Sequence, residues 1–140
     1  MTRYCTSLLA GTLFAVQLAI AQTATPSTDT TRDYTPADVA FMSGMIYHHT
    51  QALLIAGWAP SHGAGADLRV LCERIINAQK DEIKIMGTWL AERHEPVPHP
   101  EPEHMMHAMS DHMMMPGMLS AEQLAQLDRA RGEDFDETFL

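Results

Sequence analysis

The most constraining feature of this chain is a set of residues spaced one helical turn apart, Asp38, Met42, Met45, His49, Ala52 and Ala56. At about 100° per residue they fall on one narrow face. The face a helix turns to its core is normally leucine and isoleucine. Here it carries a carboxylate, two thioethers and an imidazole, side chains suited to a soft or borderline metal and to copper above all. His48, beside His49, points about 100° away and need not share a site with it. Each methionine taken singly is as well read as ordinary core filler. It is the set that points to a metal.

The flanking residues define the helix. Thr35 can cap it, Pro36 suits the first helical position and Asp38 favours the positive end of the dipole, so a first helix runs from there to about Gly57. After the turn Trp58–Gly65, a second helix is expected from about Asp67 to His94, with Leu68, Leu71, Cys72, Ile75, Gln79, Glu82, Ile83, Met86 and Leu90 at helical spacing. So short a connection makes the two an antiparallel hairpin. Centred near Ser61, it sets Cys72 level with His49 and Gln79 near Met45. Cys72 then reads as a small core residue first and a soft ligand second, and Gln79 and Glu82 as partners that orient an imidazole. Four prolines between Glu95 and Pro102 exclude helix there. Ser120-Ala-Glu-Gln123 is a capping box opening a third helix, whose apolar side continues through Leu124, Leu127, Phe135 and Phe139.

The stretch from residue 99 to 118 holds four histidines and seven methionines in twenty residues. His104, Met105, Met106, His107, Met109, His112, Met113, Met114, Met115 and Met118 give overlapping sets of two or three ligands. Thioether sulfur suits Cu(I), and imidazole accepts either copper state. Silver(I) fits the same donors. Calcium and magnesium need oxygen ligands, and zinc would recruit more cysteine or carboxylate. The competing reading is a methionine-rich low-complexity linker.

Arg3, the apolar run Leu8–Ile20 and the triplet Ala19-Ile20-Ala21 read as a secretory signal peptide over residues 1–21. Residues 22–34 form a Thr/Ser-rich flexible lead-in, and residues 35–140 a His/Met-rich helical metal-binding domain with a Pro/His/Met-rich loop at 95–118. Export makes the protein periplasmic or secreted, with membrane contact only through the signal peptide. Beyond residue 21, eight basic residues face eighteen acidic ones, a formal charge of −10. That balance disfavours nucleic acid and anionic lipid as partners and suits cations. With Cys5 removed only Cys72 remains, so no internal disulfide is expected.

Three motifs in order carry a resemblance: Phe41-x-x-x-Met45-x-x-His48-His49-x-x-Ala52, then Ile75-x-x-x-Gln79-x-x-Glu82-Ile83-x-x-Met86-x-x-Trp89-Leu90, then Met115-Pro-Gly-Met118-Leu119-Ser120. Over residues 34–140 the chain resembles a bacterial export family, long listed as a domain of unknown function, that includes the CopM-type periplasmic copper-binding proteins. The resemblance implies a ferritin-like four-helix bundle that binds copper through methionine and histidine and serves copper tolerance. By position it implies Met42, Met45, His48 and His49 as ligands, with Met86 contributing from the second helix. Members of the family usually continue past Phe139-Leu140 into a second His-His helix. The expected fold is therefore all-α: an antiparallel helical hairpin plus a third helix, an incomplete ferritin-like four-helix bundle. Its unfilled face offers a route to a homodimer.

The function expected is an exported protein that chelates or carries copper in copper tolerance or homeostasis, by binding and not by turnover. The first alternative is a copper-dependent, cuprous oxidase-like oxidoreductase of ferritin-like fold. Carboxylate-bridged members of that fold need paired helical Glu-x-x-His motifs, and the single example, Glu101 to His104, lies in the proline-rich loop. The second alternative is a helical interaction module without metal.

Overall fold

The computed structural model describes residues 33–101 and 114–140. The expected signal peptide and most of the Met/His loop lie outside them. The described residues are all-α, with helices α1 (Pro36–Gly57), α2 (Ala66–Glu92), α3 (Ala121–Arg129) and α4 (Glu133–Phe139). Helices α1 and α2 pack side by side as the hairpin, and α3 touches α1. None of the described helices is long and apolar enough to cross a membrane.

The start of α1 is set by a reciprocal cap. The Thr35 hydroxyl accepts from Asp38 N–H at 3.3 Å, and the Asp38 carboxylate accepts from Thr35 N–H at 2.7 Å. Those bonds hold the Asp38 carboxyl below its usual range, the Thr35 side chain contributing most and its backbone next. Asp38 is thus a capping residue and no member of a metal face. From Val39 to Gly57 the helix has no charged residue, and no position from Met42 to Ala56 is fully exposed. A helix apolar around most of its circumference must be covered on several sides. It is covered by α2, by the turn at 115–119 and by α3.

At its far end α2 stops in a left-handed closure. His94 takes φ 58°, its N–H donates to Ala91 O at 3.0 Å and Glu95 N–H donates to Leu90 O at 3.0 Å. This pair of bonds satisfies carbonyls that the helix end would otherwise leave open. The prolines that follow keep 95–101 out of any helix. Val97 folds back against the hairpin, close enough that a Cβ at Gly87 would stand 3.4 Å from it.

Two expectations are corrected. The hairpin register is not centred near Ser61. After Gly57 the chain makes a further turn in the same direction, with His62 N–H donating to Trp58 O at 2.9 Å and Ala64 N–H to Ala59 O at 3.0 Å, before it reverses. Glu82 therefore stands opposite His49, and Cys72 packs with Ala56, Ala59 and Ala64. The third helix is also two helices. Ala130 leaves helical geometry, and Gly132 adopts φ 60°, ψ −131°, a conformation costly for any residue with a Cβ. The break is anchored where Gly132 N–H donates to His62 O at 2.8 Å. α4 then turns Phe135 inward, where it is fully buried.

The hairpin has two separate cores. At the turn end Ala56, Ala59, Ala64, Leu68, Cys72, Leu127 and Phe135 pack together. Around them His62 lies 5.5 Å from the Trp58 ring in a stacked arrangement and 5.1 Å from Phe135. Its Nε2 lies 3.0 Å from Asp128 O, tying α3 to the turn. The Asp136 carboxylate accepts from Gly65 N–H at 3.0 Å, capping α2 from α4 where Gly65 supplies no side chain of its own. The second core, toward the open end, contains Ile46, Met86 and Leu90, with Val39, Met42, Met45, Ile83, Trp89 and Val97 against it.

Candidate metal centre

The expected ligands fall into three groups. Met42 and Met45 of α1 meet Met86 of α2 in the second core. Three thioethers from two helices therefore share one packed cluster, at the positions where leucine would be the ordinary choice. Met45 and His49 are four residues apart, so the imidazole is the next side chain along that face.

His49 points toward α2. Its Nδ1 comes within 2.9 Å of Glu82 Oε2, and its side chain is 12% exposed. At that distance the carboxylate can pair with the imidazole and oppose its loss of a proton. Burial, the largest influence, holds the His49 pKa below its usual value. The charge of Glu82 opposes the shift, and neighbouring His48 adds to it. The imidazole is thus kept neutral, with a lone pair available, to lower pH than an exposed histidine. Of the two α2 residues expected to orient an imidazole, Glu82 is the one that faces His49.

His48 points away, toward the segment that leads into α3. There Met115-Pro-Gly-Met118 forms a tight turn, with Met118 N–H donating to Met115 O at 3.1 Å and Gly117 at φ 91°. Proline at the second position and a positive-φ glycine at the third are the requirements of a type II turn. Such a turn brings its first and last residues together, here both methionines. Met118 Sδ accepts from Met115 N–H at 3.3 Å. Met115 lays its thioether against Gly44, where a Cβ would stand 2.8 Å from the sulfur. A Cβ on Gly117 would stand 3.5 Å from His48 Nε2. His48 Nδ1 is buried and has no hydrogen-bond partner among the described residues.

The turn is fastened to α1 by Gln51, which is 4% exposed. Its Oε1 accepts from Leu119 N–H at 2.7 Å and its Nε2 donates to Leu119 O at 2.9 Å. One side-chain amide thus pairs with both polar groups of a residue 68 positions away. Neither Gln51 nor Gly44 was among the expected functional residues. Gln51 had one signal, a single amide in a helix face otherwise apolar or histidine.

The remaining expected residues divide simply. Met114 is half-buried beside the turn. His104, Met105, Met106, His107, Met109, His112 and Met113 lie outside the described residues. Cys72 belongs to the turn-end core and not to the methionine cluster. Burial, and to a lesser degree Asp136, pushes its thiol pKa up, which keeps it protonated and a poor ligand. Among the described residues no three His, Cys, Asp or Glu side chains converge on one point. A groove of about 380 Å³ between Ile83, Gly87, Val97 and His99 is lined by none of the thioether sulfurs.

Fold and donors together define a small all-α hairpin protein whose two long helices and one docked turn gather methionine and histidine. Residues 38–140 match the family described as Domain of unknown function (DUF305), and the chain belongs to that family. No curated protein and no solved structure shows a significant match to it.

Proposed function

We propose that this protein is an exported copper-binding protein of the CopM type, which chelates or carries copper through methionine and histidine in copper homeostasis. The observation that carries the reading is the pair of adjacent imidazoles set among thioethers on both sides, one with its Nδ1 against the Glu82 carboxylate and the other with a buried Nδ1 that has no hydrogen-bond partner among the described residues. A buried polar atom left without a partner is costly and asks for a ligand. Neutral thioethers and imidazoles select Cu(I) over hard divalent ions. Copper is here the cargo, and the protein's part is to hold it. The sequence of residues 1–21 supports export.

The test is a Cu(I) titration of the protein against a competing chelator, beside a variant with Met42, Met45, His48 and His49 all changed to alanine. The expected result is a loss of at least tenfold in affinity, about 1.4 kcal/mol. Equal affinity in the two proteins would refute a helical copper site.

A further inference from the structure

The outer side of α2 carries a pattern that the hairpin does not use. Leu71, Ala78 and Ile85 follow at intervals of seven residues, so they form one stripe down the helix. Leu71 is 40% exposed and Ile85 67%, and Ala78 is exposed between them. Leu68, Cys72, Met86 and Leu90, which α2 buries, belong to a different face, packed in the two cores. Ile75 and Trp89 border the stripe half-buried on the side toward α1, and Arg74 and Asp81 lie along its other edge, both exposed. Among the described residues neither Arg74 nor Asp81 has an ion-pair partner. We infer that this stripe is a self-association surface, on which two copies of the chain pair their α2 helices antiparallel about a two-fold axis at Ala78. The inference goes beyond copper binding and does not depend on it.

A second copy is the occupant because the stripe is complementary to itself when reversed. Reversal about Ala78 sets Leu71 of one copy against the partner's Ile85, and this happens twice. Ala78 meets its own copy at the axis, where small side chains let the two helices approach. The same reversal brings Arg74 level with the partner's Asp81 on one edge of the seam, again twice, so each unpaired charge finds its opposite. A parallel pairing would instead set arginine on arginine and aspartate on aspartate, which disfavours it. Contacts in which residue i meets j while j meets i are the mark of a two-fold interface. A helix of unrelated sequence would have to reproduce the spacing, the small middle and the order of charges together.

Helical spacing places Glu82 between the stripe and α1, on the side where its carboxylate reaches His49. The Glu82 side chain is 48% exposed. Pairing through the stripe lays one hairpin on the other, so that four long helices come from two chains, and it covers that open edge of the His49–Glu82 contact. From Leu71 to Ile85 the seam runs about 21 Å at the helical rise. A contact of that length lies at the small end of specific interfaces, so monomer and dimer exchange with concentration.

The experiment follows the full chain by sedimentation velocity in metal-free buffer, over a series from low micromolar to near-millimolar concentration. A reversible monomer–dimer equilibrium is expected. Ile85→Glu should weaken it at least tenfold. Because Ile85 is exposed within one chain, circular dichroism of that variant should show helix content and Tm unchanged. Arg74→Asp and Asp81→Arg each set like charges across the axis and should weaken the dimer at least fivefold. Combined in one chain, the two reversals set opposite charges together again and should recover most of that loss. A chain that stays monomeric throughout the series would overturn the inference. So would a dimer indifferent to Ile85→Glu, or one in which the double reversal is no tighter than the single ones.

Discussion

Replacing Gln51 with leucine removes the two hydrogen bonds that fasten the 115–119 turn to α1 and keeps most of the side-chain volume. The bonds are short, 2.7 and 2.9 Å, and the amide is 4% exposed. A net intramolecular hydrogen bond contributes about 1 kcal/mol, and a buried partner left unpaired costs about 1–3 kcal/mol. Leu119 is only half-buried, so water recovers part of what its N–H and C=O lose. The expected destabilisation is therefore about 2 kcal/mol. For a domain of this size that is about 8–16 °C in Tm. Urea unfolding followed by far-UV circular dichroism measures the global effect. Hydrogen exchange at the Leu119 amide measures the local one, which should speed up by more than the global loss explains. A loss below about 0.5 kcal/mol, within the range of ordinary surface substitutions, would show that the clamp does not hold the turn.

Three further outcomes are expected. Phe135→Ala empties a fully buried ring position in the turn-end core and should cost about 3–5 kcal/mol in denaturant unfolding. Asp136→Ala removes the acceptor that caps α2 at Gly65 and should cost about 1 kcal/mol, with exchange accelerated in the first turn of α2 and not at its centre. Because the folded His49 pKa lies below the usual 6.5, the unfolded chain binds a proton first as pH falls. The stability linked to this group is thus whole above about 6.5 and is lost as pH drops through the folded value. Glu82→Gln removes the contribution that raises the folded pKa, so an NMR titration of His49 should move to still lower pH and the acid loss should deepen.

Much of the fold is legible in local sequence, because capping is local chemistry. Thr35 with Asp38, and Ser120 with Gln123, mark two helix starts that the structure keeps. The features that escape a sequence reading all depend on residues far apart. Gln51 and Leu119, Asp136 and Gly65, and Gly132 and His62 are joined only once the chain has folded back on itself. The hairpin register depends on how many more residues keep turning after Gly57, and a one-turn extension there moves every facing pair along α2. The break at Gly132 had a visible signal in the glycine itself, overridden by the helical spacing of Leu124, Leu127 and Phe135. In the candidate site, helical spacing placed Met42, Met45 and His49 on one face. It could not say which neighbour each histidine would meet.

The two cores of the hairpin differ in how readily they accommodate change. The turn end is cross-tied by His62 to Asp128 and Gly132, and by Asp136 to Gly65, and its packing is alanine, leucine and phenylalanine with one inert thiol. The second core sets three methionines, whose unbranched side chains repack with little penalty, among Ile46, Leu90, Ile83 and Trp89. The open end is latched in turn at its rim, where the Tyr34 hydroxyl donates to Glu95 Oε1 at 2.9 Å and the Arg93 guanidinium lies over the Trp89 ring, so the adaptable packing lies between two fastened ends. A side chain exchanged within that middle stretch is therefore absorbed by its neighbours, whereas one exchanged at either fastened end is not.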